Sequence, residues 1–514
     1  MDVKQLFLDT INKGYQTKGD FIILGGAMID GECQPNTLVK VPLKTMNRHG
    51  LIAGATGTGK TKSLQVISEQ LSEKGVPVLL MDLKGDLSGL AQPGEAKSFI
   101  LERHRKIGFP YEARPMPVEL MTLSQEKGTK LRSTVTEFGP VLLSKIMELN
   151  DVQSGIISLI FKYCDDNELP LLDLKDLRKI LQYSIGEGKA KITEQYGAVS
   201  SASVNTIMRK IIELDQQGAS LFFGEPSFDV NDLLRYDSDG RAFISIIRLT
   251  DIQDRPKLFS TFMLSLLAEI YASFPEEGDS TKPKLVIFID EAHLVFDQAS
   301  RALVDQIETI VKLIRSKGVG VYFCTQNPTD VPNEVLSQLG LKVQHALRAF
   351  TAKDRKEIKQ TAENYPISPF YKTDEVLTSL GIGEALVTAL NEKGIPTPLA
   401  ATYMRAPMTR MDVLSPDEID ELIRKSRLVS RYEKTVDGDS AYEILNRKIK
   451  EARKPEHQEE LAKASESVPK RKSKKEESLV SELSKNTMIR QLGRTVAREL
   501  ARGLLGALGV SKRR

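Results

Sequence analysis

Residues 54–61 read Gly-Ala-Thr-Gly-Thr-Gly-Lys-Thr and fit the pattern G-x-x-x-x-G-K-[ST]. Such a loop works only where a buried strand enters it and a helix leaves it, so eight residues constrain the fold of the chain around them. Both flanks comply. Leu51-Ile52-Ala53 is a short apolar run. From Thr61 onward, Leu64, Val66, Ile67 and Leu71 fall close to helical spacing, and Gly75 stands at the expected C-cap.

The residue types point to a phosphate ligand. A triphosphate carries several negative charges, and the chain must wrap closely around them. Gly54, Gly57 and Gly59 lack a Cβ, so the backbone turns sharply and aims its N–H groups inward. The following helix presents its positive N-terminal end. Lys60 supplies a point charge to the β- and γ-phosphates, and the Thr61 hydroxyl is a Mg²⁺ ligand. The expected cofactor-binding set is the whole loop: Gly54, Ala55, Thr56, Gly57, Thr58, Gly59, Lys60 and Thr61. The cofactors are ATP and Mg²⁺, with Thr61 and Asp290 as the metal residues.

Asp290 comes from a second pattern. Leu285-Val286-Ile287-Phe288-Ile289 is a buried-strand run that ends in Asp290-Glu291. The strand is expected to place both carboxylates at its C-terminal end, beside the phosphate loop. Asp290 would hold Mg²⁺ through water, and Glu291 would orient and deprotonate the attacking water. One strand later, Val319–Cys324 leads into Thr325-Gln326-Asn327-Pro328, which makes Gln326 a candidate sensor of the γ-phosphate. Two arginines are weighed for catalysis. Arg315 precedes Lys317-Gly318 at a helix end, where a cation commonly caps the helix. Ring ATPases also use an arginine from a neighbouring subunit, and Arg315, then Arg348, are the candidates for it. His293 and His345 have no partners at metal-ligand spacing and read as structural.

Strands alternating with helices argue for a parallel sheet covered on both faces. Residues 1–45 are expected to be a short β segment, with Phe21–Leu24 and Leu38–Val41 as strands. Residues 46–407 form the core, with a helical insertion at about 130–215. Residues 408–465 are charged and helical in part. Residues 466–485 read as a disordered linker, and 486–514 as an amphipathic basic helix.

At 514 residues the chain exceeds one ordinary domain, and its 40% apolar and 27% charged content suits a globular protein in water. The net charge is +3, so no overall field advertises nucleic acid. From Lys470 to the end, 13 Lys and Arg oppose 4 Asp and Glu, so the basic character belongs to the tail. Cys33, Cys164 and Cys324 are widely spaced and form neither a metal pattern nor a disulfide framework. The N-terminus lacks a signal-peptide core, and no run approaches the ~20 apolar residues of a membrane span. A cytoplasmic location is expected.

GATGTGKT at 54–61, MDLKGD at 81–86, IDEAH at 289–293 and RSKGVGVYFCTQNP at 315–328 together resemble the HerA–FtsK superfamily of P-loop ATPases, in particular its bacterial HerA-like, YjgR-type group. The resemblance runs from about residue 20 to 407. It implies a RecA-like P-loop NTPase core of the α/β class with a parallel-dominated sheet, here carrying the helical insertion and the charged helical C-terminal tail. It also implies a hexameric ring that moves DNA using ATP. Lys60 and Thr61 match the P-loop lysine and hydroxyl, Asp290 and Glu291 the acidic pair, Gln326 the sensor glutamine, and Arg315 the arginine that acts across the subunit interface. HerA proper carries an N-terminal β-barrel, for which the 53 residues before Gly54 leave too little chain. Asp-Glu-Ala-His at 290–293 also suggests a two-core helicase, but the distance from Lys60 and the lack of a second core argue against it.

The leading reading is a DNA-translocating, helicase-like ring ATPase, with Lys84–Ser88 and the segment after Gln326 as candidate DNA-gripping loops. The alternative is an ATPase that acts on a protein partner or at an anionic membrane surface through residues 486–514. There, Met488, Leu492, Val496, Leu500, Leu504 and Leu508 recur every four residues, and Arg490, Arg494, Arg498 and Arg502 recur on the other face.

Overall fold

Continuous apolar runs become buried central strands, because a strand covered on both faces has no polar side to present. The computed structural model describes residues 2–252, 255–278, 280–297, 301–434 and 440–452. Among these residues, twelve strands build one sheet: β1 (Phe21–Ile29), β2 (Glu32–Pro42), β3 (Gly50–Ala53), β4 (Val78–Asp82), β5 (Val118–Thr122), β6 (Thr129–Lys130), β7 (Ile244–Arg248), β8 (Leu285–Ile289), β9 (Val319–Thr325), β10 (Leu341–His345), β11 (Glu384–Thr388) and β12 (Ala400–Met404). Their spatial order is β2-β1-β12-β11-β10-β3-β9-β8-β4-β7-β5-β6. From β10 to β6 every pairing is parallel. From β10 outward to β2 every pairing is antiparallel. The sheet is therefore α/β and mostly parallel, with an antiparallel extension of four strands.

The chain divides into two units. The first comprises residues 1–130, 229–260 and 274–433 and holds the whole sheet. Its core is continuous along the strands, from Ile22 and Leu24 through Ile52, Phe288 and Tyr322 to Ile244 and Ile246. A helix, Val3–Gly14, precedes β1, where the sequence pattern had suggested only strands. Asp2 caps it, and Phe7 and Ile11 bury one face of it.

The second unit comprises residues 131–228, 261–273 and the described residues from 434 on. It is helical: Val135–Ile146, Asp151–Asp166, Leu174–Ile185, Lys189–Tyr196 and Ser201–Gln216, with Ala441–Ala452. Three of these helices start at reciprocal caps, Thr134 with Glu137, Asn150 with Gln153 and Asp173 with Asp176. Each pair satisfies two otherwise orphaned backbone donors. Asp176 also accepts the Tyr442 N–H at 2.8 Å, which docks the last described helix. The linker at 466–485 and the terminal helix at 486–514 lie outside the described residues. Among the described residues, no helix is long and apolar enough to cross a membrane.

Candidate nucleotide-binding site

Parallel strands collect their carboxyl ends along one edge, and ligand groups gather there. β3 delivers the glycine loop to that edge. Gly54, Gly57 and Gly59 have φ of +149°, +78° and +116°, conformations that a side chain would strain. A Cβ on Gly54 would also lie 2.5 Å from His345 Cβ. The loop is braced on both flanks. Ala55 N–H donates to Ala346 O at 2.9 Å, and Gly383 N–H donates to Thr58 O at 2.9 Å. Thr58 Oγ1 donates to Ala55 O at 2.7 Å.

Lys60 folds back over the loop, with Nζ 2.6 Å from Gly54 O and 3.2 Å from Ala55 O. Burial, and then the like charge of Lys84, hold its ammonium below the usual lysine range. Thr61 opens the helix Lys60–Glu73 beside it. A segment from Met408 to Met411 straps that helix down. Glu69 accepts the Met408 and Thr409 N–H groups at 2.8 and 3.1 Å, and Lys62 Nζ donates to Met411 O at 2.6 Å.

β8 delivers Asp290 and Glu291 to the same edge. It is not the immediate neighbour of β3, because β9 lies between them. The carboxyl end of β9 thus stands between the two halves, and the Asp290 and Glu291 charges still act on the Lys60 ammonium. Burial, and then the adjacent Glu291, push the Asp290 carboxyl up to about 7. Its Oδ2 is buried without a hydrogen-bond partner among the described residues. An orphaned buried carboxylate oxygen costs free energy, and the water shell of a divalent cation would satisfy it. With Thr61 on the facing helix start, the residues fit a Mg²⁺ ion held mainly by phosphate and water, since no cluster of three metal-ligating side chains occurs among the described residues.

Glu291 is almost fully buried and sits at φ +48°. Its Oε1 is ion-paired with Lys84 Nζ, and its Oε2 lies 3.2 Å from His293 Nδ1. Sequence reading left Lys84 and His293 out of this site. Lys84 is also the first residue of the candidate DNA-gripping loop, Lys84–Ser88. That loop is instead tied inward. Asp82 accepts from Gly85 N–H at 2.7 Å and Leu87 N–H at 3.1 Å, and Ser88 is buried beneath Leu414. Burial, then Asp86, raise the Asp82 carboxyl to about 6.

Gln326 follows β9 and is exposed at the same edge of the sheet. The turn after it is fixed by Asp330, which accepts from Thr325 Oγ1 at 2.5 Å and Asn327 N–H at 3.0 Å. The two arginines separate. Arg348 follows β10 and lies on the loop side, two residues beyond the carbonyl that braces Ala55. Arg315 precedes β9, at the opposite end of the sheet. Burial and then the like charge of Arg48 hold its guanidinium below the ordinary value. His345 is structural, as expected: its ring lies between Ser63 Oγ at 2.9 Å and Glu384 O at 2.8 Å. Burial holds it down at about 4.

The sequence matches the family described as Helicase HerA-like C-terminal over residues 28–514. The chain belongs to that family. Among HerA-like relatives, the DNA double-strand break repair helicase HerA of Sulfolobus acidocaldarius is 22% identical over 384 residues, 70% of this chain and 66% of the relative. Its namesake from Saccharolobus solfataricus is 23% identical over 68% of this chain and 64% of the relative. The chain thus spans just under two thirds of the length of these two HerA proteins. A probable helicase of Methanocaldococcus jannaschii is 26% identical over 73% of this chain and 71% of its own. In three dimensions the chain is similar to the plasmid coupling protein TrwB in complex with the ATP analogue ADPNP. The TM-score is 0.51 at 14% identity, covering 79% of this chain and 95% of TrwB. The unbound bacterial conjugative coupling protein TrwB gives 0.50 at 14% identity, with 79% and 94% covered. These likenesses agree with the P-loop fold that the sheet order and the glycine loop display.

Proposed function

We propose that the chain is a Mg²⁺-dependent ATPase that works as a ring of identical subunits moving along DNA. The observation that carries this reading is the convergence of Lys60, Asp290 and Glu291 on one sheet edge, from strands β3 and β8. Lys60 leaves the loop carbonyls and neutralises the β- and γ-phosphates. Asp290 and Thr61 would hold a Mg²⁺ ion, which would supply positive charge to the phosphates. Glu291 takes the proton of the attacking water, and Gln326 orients that water from the strand between.

Arg315 supports the ring. β9 has 7 residues, so its two ends are separated by roughly 20 Å. An arginine side chain does not bridge that span, so the interface role proposed for Arg315 calls for a second copy of the chain. Arg348, on the loop side, is the candidate for a contact within its own subunit.

DNA enters through the family. The relatives matched over most of the chain are named as DNA double-strand break repair helicases. The steady-state ATPase rate, measured with and without double-stranded DNA, single-stranded DNA and RNA, tests this part. Double-stranded DNA is expected to raise turnover, and added salt to remove the gain. An unchanged rate with all three polymers rejects the DNA assignment and leaves the ATPase standing.

A further inference from the structure

β3 has β9 and β8 on one side and β10 and β11 on the other. A nucleotide whose γ-phosphate faces Asp290 and Glu291 must send its nucleoside the opposite way, over the β10–β11 side. The turn before β11 lies there. Gly383 presses on the loop, with its Cα 3.3 Å from where a Cβ on Gly59 would stand, and its N–H holds Thr58 O. Beside it, Ile382 is 72% exposed.

Arg103 fixes this turn. Its guanidinium donates to Gly383 O at 3.0 Å, Met404 O at 2.9 Å and Ile382 O at 3.3 Å, and it stacks on the Tyr403 ring at 3.9 Å. Arg103 lies on the helix Ser98–Ile107. Phe99 sits four residues earlier, hence on the same face, and is 60% exposed. A ring one helical turn before Arg103 and a branched aliphatic chain whose carbonyl Arg103 holds are thus both uncovered.

We propose that Phe99 and Ile382 form the subsite for the purine base of the nucleotide, with Arg103 as the positioning residue that holds Ile382 in place. The base is flat and apolar on its faces, so ring stacking and aliphatic contact recognise it without hydrogen-bond readout. This rests on the nucleotide reading above, and the test separates the two.

Binding of Mg·ADP, Mg·CDP and inorganic tripolyphosphate to the full chain is measured by calorimetry for wild type, Phe99→Ala, Ile382→Ala, the double alanine variant of these two, Phe99→Tyr and Lys60→Ala. Phe99→Ala and Ile382→Ala are each expected to weaken ADP about 10-fold, from the loss of one stacking or packing face, with tripolyphosphate unchanged. Phe99→Tyr keeps the ring and should retain wild-type affinity. The preference for ADP over CDP should collapse in the double alanine variant. Wild-type ADP affinity in both alanine variants overturns the subsite, as does a change in sedimentation with no change in affinity, which would assign these side chains to a subunit contact. An equal loss of ADP and tripolyphosphate also overturns it, because the damage then lies at the phosphates. Lys60→Ala should lose both ligands. If it binds ADP as wild type does, the nucleotide reading itself fails.

Discussion

Lys84 and Glu291 are ion-paired across the adjacent strands β4 and β8, and the second oxygen of the same carboxylate faces His293 Nδ1 at 3.2 Å. Although burial opposes it, the Glu291 and Asp290 carboxylates hold the Lys84 ammonium above its ordinary value. The carboxylate proposed as general base is therefore held between the Lys84 ammonium and the His293 ring, on a backbone at φ +48°. Its orientation is fixed before any nucleotide arrives.

Replacing Lys84 tests that orientation. Lys84→Met removes the charge and keeps the stem. Turnover is expected to fall roughly 10- to 100-fold, as misplacement of one reacting group commonly does, while Mg·ADP affinity stays within about 3-fold. Single-turnover hydrolysis and calorimetry on the same preparation give both numbers. Wild-type turnover would mean that Glu291 needs no such partner.

Arg315→Ala should leave nucleotide binding intact and cut turnover by roughly 10³-fold. Mixing it with Glu291→Gln subunits separates action within a subunit from action between subunits. Mixed rings contain interfaces with two wild-type halves, so partial activity should return. No recovery at any ratio, with mixed assembly established by mass measurement, contradicts the role across the interface.

His345 supplies a pH dependence. Its folded-state value of about 4 lies below the ordinary 6.5, because burial disfavours the charged ring. A group depressed in this way stabilises the fold fully above pH 6.5, and the contribution is lost as pH falls through about 4. The unfolded chain takes up the proton first. The stake is on the order of 3 kcal/mol. The gap in melting temperature between wild type and His345→Gln should therefore close as pH drops from 6.5 to 4. A gap that stays constant over that range contradicts the buried neutral imidazole.

How far the site was legible follows from where its partners lie in the chain. The glycine loop, β8 and β9 were readable because each is a local pattern, a loop with fixed residue types or an unbroken apolar run. β10 was not. Lys342, Gln344 and His345 interrupt its apolar pattern, yet the latter two are buried because distant groups satisfy them. Tyr365 OH donates to Gln344 Oε1 at 3.2 Å, and Ser63, 282 residues away, pairs with His345. β5 hides in the same way, with Glu119 buried against Arg235 at 2.9 Å. The insertion of β9 between the loop and the acidic pair belongs to sheet order, which no local pattern encodes. The Lys84–Glu291 pair needed that order too, since it forms only because β4 lies against β8.

The most direct measurement is phosphate release by wild type and Glu291→Gln, with Mg·ATP binding determined in the same samples. Gln keeps the size and shape of the side chain but carries no charge and cannot take a proton from water. Equal binding with turnover reduced at least about 100-fold is the expected result. Hydrolysis by Glu291→Gln at the wild-type rate would contradict the assignment of this edge as the site of ATP cleavage.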